Sequence, residues 1–261
     1  MDLNLDGRHA LVCGASEGIG RAAAHELALL GADVTVLARR ADILEGVAGA
    51  LPCKPGQRHA WIAADVSESD ALKAKVEALA ANRPVHVLVN NTGGPPGGPA
   101  HAAAIEEFEA AFRRHLVANQ LLLQAVLPGM RAASWGRVVN VVSTSVREPI
   151  PNLGVSNTIR GAVGSWAKTL SRELAPFGIT VNNVLPGFTD TGRIERLVQA
   201  RARDTGKPEA EIAEGMRQAV PAGRFARPEE VGGVIAFLCS PAAGYVNGVS
   251  LAVDGGRMHS I

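Results

Sequence analysis

The chain is poor in aromatic side chains, which make up 4% of its 261 residues, and Tyr245 is its single tyrosine. No other position offers a phenol. Cysteine is scarce too: Cys13, Cys53 and Cys239 are odd in number and far apart, and two of them lie in apolar runs. That excludes a disulfide framework and leads to the expectation of a reduced, cytoplasmic protein. No run of like charge occurs, and 26 basic against 25 acidic residues leave a net charge of +1. A nucleic-acid stripe or a basic membrane face is thereby excluded, and a small-molecule partner is expected. The seven histidines never fall at zinc-site spacing, so no metal is expected. Also missing are a Pro- or Ser-rich linker, a solenoid-period repeat, and a basic leader with a cleavage site ahead of "RHALVC".

What the chain has is alternation. Short apolar, β-rich runs recur with helical patterns between them: "HALVC" near Leu11, "DVTVLA" near Val34, "HAWIAA" near Ile62, "VHVLVN" near Leu88, "RVVNVVS" near Val139, "ITVNNVL" near Val181 and "VSLAVDG" near Leu251. Seven strands in such alternation predict a doubly wound, Rossmann-type parallel sheet in a three-layer α/β/α domain over residues 1–261. At 47% hydrophobic residues and this length, one large core is within reach. The segment "SESDALKAKVEALAA" reads as a helix capped by Ser67, with Asp70 three residues on as in a capping box.

Two segments break the pattern. "NNTGGPPGGPAHAA", Asn90 to Ala103, follows the fourth strand and is stiff at its prolines and free at its glycines, hence unsuited to helix. In an open α/β sheet, ligands sit outside the carboxyl ends of strands, so its position marks it as a pocket wall rather than a mere connector. The second is the charged helical insertion from Thr189 to Glu230, read as a substrate lid over residues 189–227, with a solvated helix pair as the alternative.

"CGASEGIG" sets Gly14, Gly18 and Gly20 on the turn from the first strand into the first helix. Glycine permits the tight turn and lets backbone N–H groups approach a pyrophosphate at the helix N-terminus. The second strand ends in Ala38, Arg39 and Arg40 instead of the acid that holds the ribose hydroxyls of NAD. Arginine pairs with phosphate through two parallel hydrogen bonds, which points to NADP, with NAD the alternative. Glu17, inside the glycine turn, opposes that phosphate by charge.

Taken in order, "GASEGIG", "ADV" (Ala64 to Val66), "NNTGG" (Asn90 to Gly94), "GRVVNVVS" (Gly136 to Ser143), "GITVNNVLPGFTDT" (Gly178 to Thr191), "RFARPEEV" (Arg224 to Val231) and "VDGG" (Val253 to Gly256) resemble the classical short-chain dehydrogenases/reductases, in their 3-oxoacyl-carrier-protein reductase-like branch. The likeness spans essentially the whole chain. It implies a dinucleotide cofactor bound by the turn residues Gly14, Ser16, Glu17, Gly18, Ile19 and Gly20, with Arg39 and Arg40 beside it. It further implies that Asp65 and Val66 hold the adenine and that Asn91, Thr92 and Gly93 back the adenosine ribose. Pro186, Gly187, Thr189 and Thr191 would border the nicotinamide and pyrophosphate, and a homo-oligomer, dimer or tetramer, is expected, with the small residues of Gly161 to Ala175 allowing close packing.

The catalytic positions depart from that pattern. The family uses a serine after the fifth strand, a tyrosine thirteen residues on, a lysine four beyond that, and an asparagine on the preceding long helix. Ser143 fits the serine, and counting forward gives Ser156 and Arg160, with His115 at the asparagine. A phenol has an ordinary pKa of about 10 that a neighbouring cation lowers toward use, whereas an aliphatic hydroxyl is far less acidic. Arg160 keeps the positive charge and can hold a ribose or phosphate, yet it cannot release a proton. His115, with an imidazole that titrates near neutrality, stands as the replacement acid, and its bland alternative is to fill the place of the asparagine.

Three readings follow. One is a divergent NADP-dependent oxidoreductase, reducing a 3-oxoacyl-like carbonyl or oxidising an alcohol, in which Ser143 binds the substrate oxygen and Ser156, His115 or a held water supplies the proton. The second is a catalytically silent dinucleotide-binding protein acting as sensor or partner subunit. The third is a non-redox enzyme built on the same frame, using His115 and the "GGPPGGP" loop.

Overall fold

All seven apolar runs become strands in a computed structural model that describes residues 1–260. They are β1 (His9–Cys13), β2 (Asp33–Ala38), β3 (Ala60–Ala63), β4 (Val87–Asn90), β5 (Gly136–Val141), β6 (Ile179–Pro186) and β7 (Ser250–Val253). All pair in parallel, in the order β3-β2-β1-β4-β5-β6-β7. The order reverses between β1 and β4, and the crevice at such a reversal is where open α/β sheets take ligands.

Alternate side chains of each strand serve opposite layers. Val12, Val36, Val89, Val139 and Val184 face α1 (Gly18–Leu29), α2 (Ala41–Gly49) and α9 (Pro228–Cys239). Leu11, Leu37, Leu88, Val138 and Val181 face α3 (Ser69–Asn82), α5 (Ala118–Ala132) and α6 (Gly154–Leu174). Burial on both faces explains why the inner strands read as continuous apolar runs. The outer strands are more open: Trp61 on β3 and Leu251 on β7 are each 39% exposed. Helices α1 and α9 approach closely because a Cβ at Gly232 would lie 2.9 Å from the Ala22 carbonyl carbon.

A ladder of amides crosses the sheet. Asn90 Nδ2 donates to Asn140 Oδ1 at 2.8 Å, Asn140 Nδ2 to Asn183 Oδ1 at 3.0 Å, and Asn183 Nδ2 to Ser250 Oγ at 3.1 Å. Register makes this possible, since Asn90, Asn140, Asn183 and Ser250 are paired neighbours on successive strands. Each amide satisfies the next, so removing one leaves buried neighbours unpaired, at about 1–3 kcal/mol.

One local expectation fails. Ser67 does not cap α3, which begins at Ser69 after a Glu68 that makes no side-chain cap. The Ser67 hydroxyl and N–H instead donate to Asp65 Oδ1, at 2.6 and 2.9 Å. The nearer carboxylate outcompetes the helix end for the hydroxyl. The Thr189–Glu230 insertion forms α7 (Gly192–Thr205) and α8 (Glu209–Gln218), which share a small core of Ile194, Val198 and Met216. The remaining helix, α4 (Ile105–Phe112), precedes α5.

Candidate active site

The residues singled out in the sequence gather at the carboxyl edge of the sheet. Gly14 follows β1 with φ +61°, and a Cβ there would stand 2.4 Å from the Asn91 carbonyl oxygen. Gly20 is equally confined, its missing Cβ lying 2.3 Å from Gly14 O. Asn91 Nδ2 donates to Gly14 O at 3.2 Å and ties the turn to the end of β4. Helix α1 has no side-chain cap and no acid in its first turn, so the N–H groups around Ile19 lack a side-chain partner. Ser16 and Glu17 complete the turn. On its far side, Thr191 touches the place a Gly18 Cβ would take, at 2.9 Å. Pro186 ends β6, and Gly187, Thr189 and Thr191 carry the chain from there into α7.

Exposed Arg39 and Arg40 follow β2, and Asp65 and Val66 follow β3. The bonds from Ser67 hold the Asp65 carboxyl below its ordinary range, helped by Arg39. The opposition expected from Glu17 is weakened, because its carboxylate sits 3.9 Å from Arg40 Nη2 and 3.3 Å from Arg196 Nη2 on α7. Gly93 has open space at its Cβ position.

At the end of β5, Ser143 Oγ accepts the Ser145 N–H at 3.1 Å, which leaves its own hydrogen free to donate. Ser156 and Arg160 lie one turn apart on α6, 4% and 7% exposed. Arg160 Nη1 donates to Val141 O at 3.0 Å and Val142 O at 2.8 Å, while its buried Nε has no partner. Burial and the like charge of Arg193 bring its guanidinium down to about 10, which still leaves it charged at neutral pH.

His115 lies in a π turn, Arg113–Val117, that interrupts the passage from α4 to α5. Single π turns are often found at functional sites. His115 Nδ1 meets Thr92 Oγ1 at 2.8 Å, and Nε2 is buried without a partner. Burial first, then the charges of Arg160, Arg114 and Arg193, pushes its pKa down to about 3. This corrects the expectation of an imidazolium acid: at neutral pH the ring is uncharged and offers a hydrogen bond, not a proton. Thr92 and His115 stand out separately in the sequence, and the fold makes them a pair. Tyr245, 103% exposed in the segment before β7, supplies no substitute phenol among the described residues.

Comparison with known proteins places this arrangement. The family model described as Enoyl-(Acyl carrier protein) reductase matches residues 14–258. The 3-oxoacyl-[acyl-carrier-protein] reductase of Pseudomonas aeruginosa is 34% identical over 262 residues, covering 99% of this chain and 100% of that protein. The chain belongs to the short-chain dehydrogenases/reductases. Within them it is 3-oxoacyl-[acyl-carrier-protein] reductase-like. The NADPH-dependent reductase BacG of Bacillus subtilis is 31% identical over 97% of this chain and 99% of its own. L-sorbose reductase from Gluconobacter frateurii, solved with NADPH and L-sorbose, superposes with a TM-score of 0.93 at 30% identity, each chain covered to 100%.

Sequence reading missed two members of this short-chain dehydrogenase/reductase site. Arg193, in the first turn of α7, lays its guanidinium on Gly94, with Nη2 and Nη1 2.8 and 2.9 Å from where a Cβ would stand. The only sequence signal was a glycine facing an insertion about a hundred residues away. The Asn90–Asn140–Asn183 ladder was likewise invisible before the register was known.

Proposed function

We propose that the protein is an NADP(H)-dependent short-chain oxidoreductase that interconverts a carbonyl and an alcohol without a tyrosine. The single observation that carries this reading is Ser143, whose hydroxyl hydrogen is free at the carboxyl end of β5 beside the buried cation of Arg160. The residues present fit the dinucleotide. Uncapped N–H groups open α1, the cramped glycine positions bring backbone close, and Arg39 and Arg40 offer guanidinium to a 2′-phosphate. NADPH supplies a hydride when bound. The sorbose reductase solved with NADPH and the NADPH-dependent reductase BacG support the same choice of cofactor.

In this reading Ser143 donates a hydrogen bond to the substrate oxygen. With the Thr92 hydroxyl donating to His115 Nδ1, the ring carries its hydrogen on Nε2 and gives the same oxygen a second bond. Arg160 adds positive charge where the oxygen becomes negative. Ser156 or a water would relay a proton to that oxygen, so that reduction of the carbonyl yields the alcohol. The α7–α8 pair acts as the substrate lid, and the link from Glu17 to Arg196 supports that role by joining it to the glycine turn. A homo-oligomer is supported by the exposed Tyr245, Val249 and Leu251 on and before the edge strand β7. The relatives bear reductase names, which gives the silent-protein reading no support.

The test is NADPH consumption by the purified protein across a panel of carbonyl compounds, beside calorimetric titration with NADPH and NADH. Turnover that Ser143→Ala removes, with NADPH binding intact, is the expected result. Tight NADPH binding with no compound reduced overturns the catalytic reading, and binding of neither cofactor overturns the whole of it.

A further inference from the structure

The catalytic end of the crevice holds cations without anions. Arg160, 7% exposed, spends one nitrogen on two carbonyls, and its Nε has no partner. Nothing bonds Nη2 either, so the Nε–Nη2 edge, the pair of parallel donors that matches a carboxylate, is unspent. His115, 3% exposed, leaves Nε2 unpartnered. Arg114, on the same π turn, and Arg193, over Gly94, add their charge to the field that His115 feels. Among the described residues, no Asp or Glu forms an ion pair with Arg114, Arg160 or Arg193. The carboxylates at the cofactor turn and after β3 are already engaged: Glu17 by Arg40 and Arg196, and Asp65 by Ser67.

A buried, unpaired guanidinium is costly unless an anion joins it when the site fills. Ser156, one turn before Arg160 on α6, carries a small side chain where the family's usual pattern places a phenol. We propose that this unspent edge is a carboxylate subsite, and that the substrate is an oxo acid or hydroxy acid whose carboxylate lies close to the reacting carbon, held by the Nε–Nη2 edge of Arg160 with Arg193 closing over it from α7. The proposal rests on the oxidoreductase reading above and narrows it from carbonyl compounds in general to acids. It also explains why the α7–α8 pair lies where it does, since α7 brings Arg193 to the site and Gly94, having no Cβ, lets that guanidinium lie against the loop.

Binding alone tests it. The protein saturated with NADP⁺ is titrated calorimetrically with oxamate, a carboxylate that resembles a small oxo acid, and with oxamide, its neutral counterpart. Oxamate binding at least tenfold tighter than oxamide, with Arg193→Gln cutting that preference at least threefold while the NADP⁺ affinity stays within twofold, is the expected outcome. Equal affinity for the two, or binding of neither, overturns the subsite. So does an Arg193→Gln variant that loses NADP⁺ affinity and keeps the oxamate preference, because that cation then serves the cofactor pyrophosphate. The two readings fail separately. Selective oxamate binding without turnover of any carbonyl defeats the oxidoreductase reading alone, whereas turnover of neutral carbonyls with no oxamate preference defeats the subsite alone.

Discussion

At the end of β1 the Gly14–Gly20 turn works through its backbone, with space measured to a few tenths of an ångström and an uncapped helix end behind it. At the end of β5 the region around Ser143, Ser156 and Arg160 presents side chains, with a cation buried without a counter-charge. Both lie on the same edge of the same sheet. The first is fixed by what is absent from glycine, so its chemistry tolerates little change. The second is held in place by α6 and the π turn, so its side chains can be exchanged while the frame stays whole. The difference teaches that a dinucleotide frame and the chemistry beside it are separable parts of this fold.

The sharpest way to break that comparison is to remove the side-chain donor. Ser143→Ala is expected to lower the rate of carbonyl reduction by about 10²–10³-fold with NADPH affinity unchanged, read by steady-state kinetics and calorimetry. A parallel loss of NADPH binding would show that the two regions are not separable. The reciprocal change acts on backbone. Gly14→Ala sets a methyl 2.4 Å from Asn91 O at φ +61°. A cost of about 1–3 kcal/mol in stability is expected from the strained backbone, together with weaker NADPH binding, measured by thermal unfolding and titration.

Acid should expose the buried imidazoles. His115 is pushed down to about 3, and His9, held by Thr35 and Pro84 O under burial and the charge of Arg83, to about 4. The unfolded chain binds a proton on each near pH 6.5 and the folded chain does not, so the folded state binds fewer protons below that value. Their contribution to stability is therefore full above about pH 6.5 and shrinks as pH falls toward 4 and then 3, by about 1.4 kcal/mol per pH unit for each ring. Denaturant unfolding at pH 7 and pH 5 measures it, and His115→Asn should flatten the slope by nearly one proton. The smallest effect is expected at Arg40, which is exposed and shares itself with Glu17. Arg40→Ala should reduce the preference for NADPH over NADH by about tenfold, some 1.4 kcal/mol, read from the two dissociation constants.

Much of this was legible in the residues. The inner strands announce themselves because burial on both faces demands unbroken apolar runs, and the glycine turn because only glycine suits its spaces. Counting from Ser143 gave Ser156 and Arg160, and the fold sets both on α6, one turn apart. Ser67 was misread because a capping pattern cannot show that Asp65 competes for the same hydroxyl. His115 was misread as an acid because pKa depends on burial, and burial belongs to the whole fold.

The sequence by itself determined the parallel sheet, the glycine turn after β1 and the single tyrosine, because these rest on local residue type and spacing. Only the tertiary structure decided that Thr92 grips His115, that Arg193 reaches Gly94 and that three asparagines align across β4, β5 and β6. Those contacts join residues far apart in the chain, and their partners become neighbours only when strand register and helix placement are fixed. The charge state of His115 and the unpaired edge of Arg160 follow from the same cause, since the water and counter-charges around a group are set by everything that packs against it.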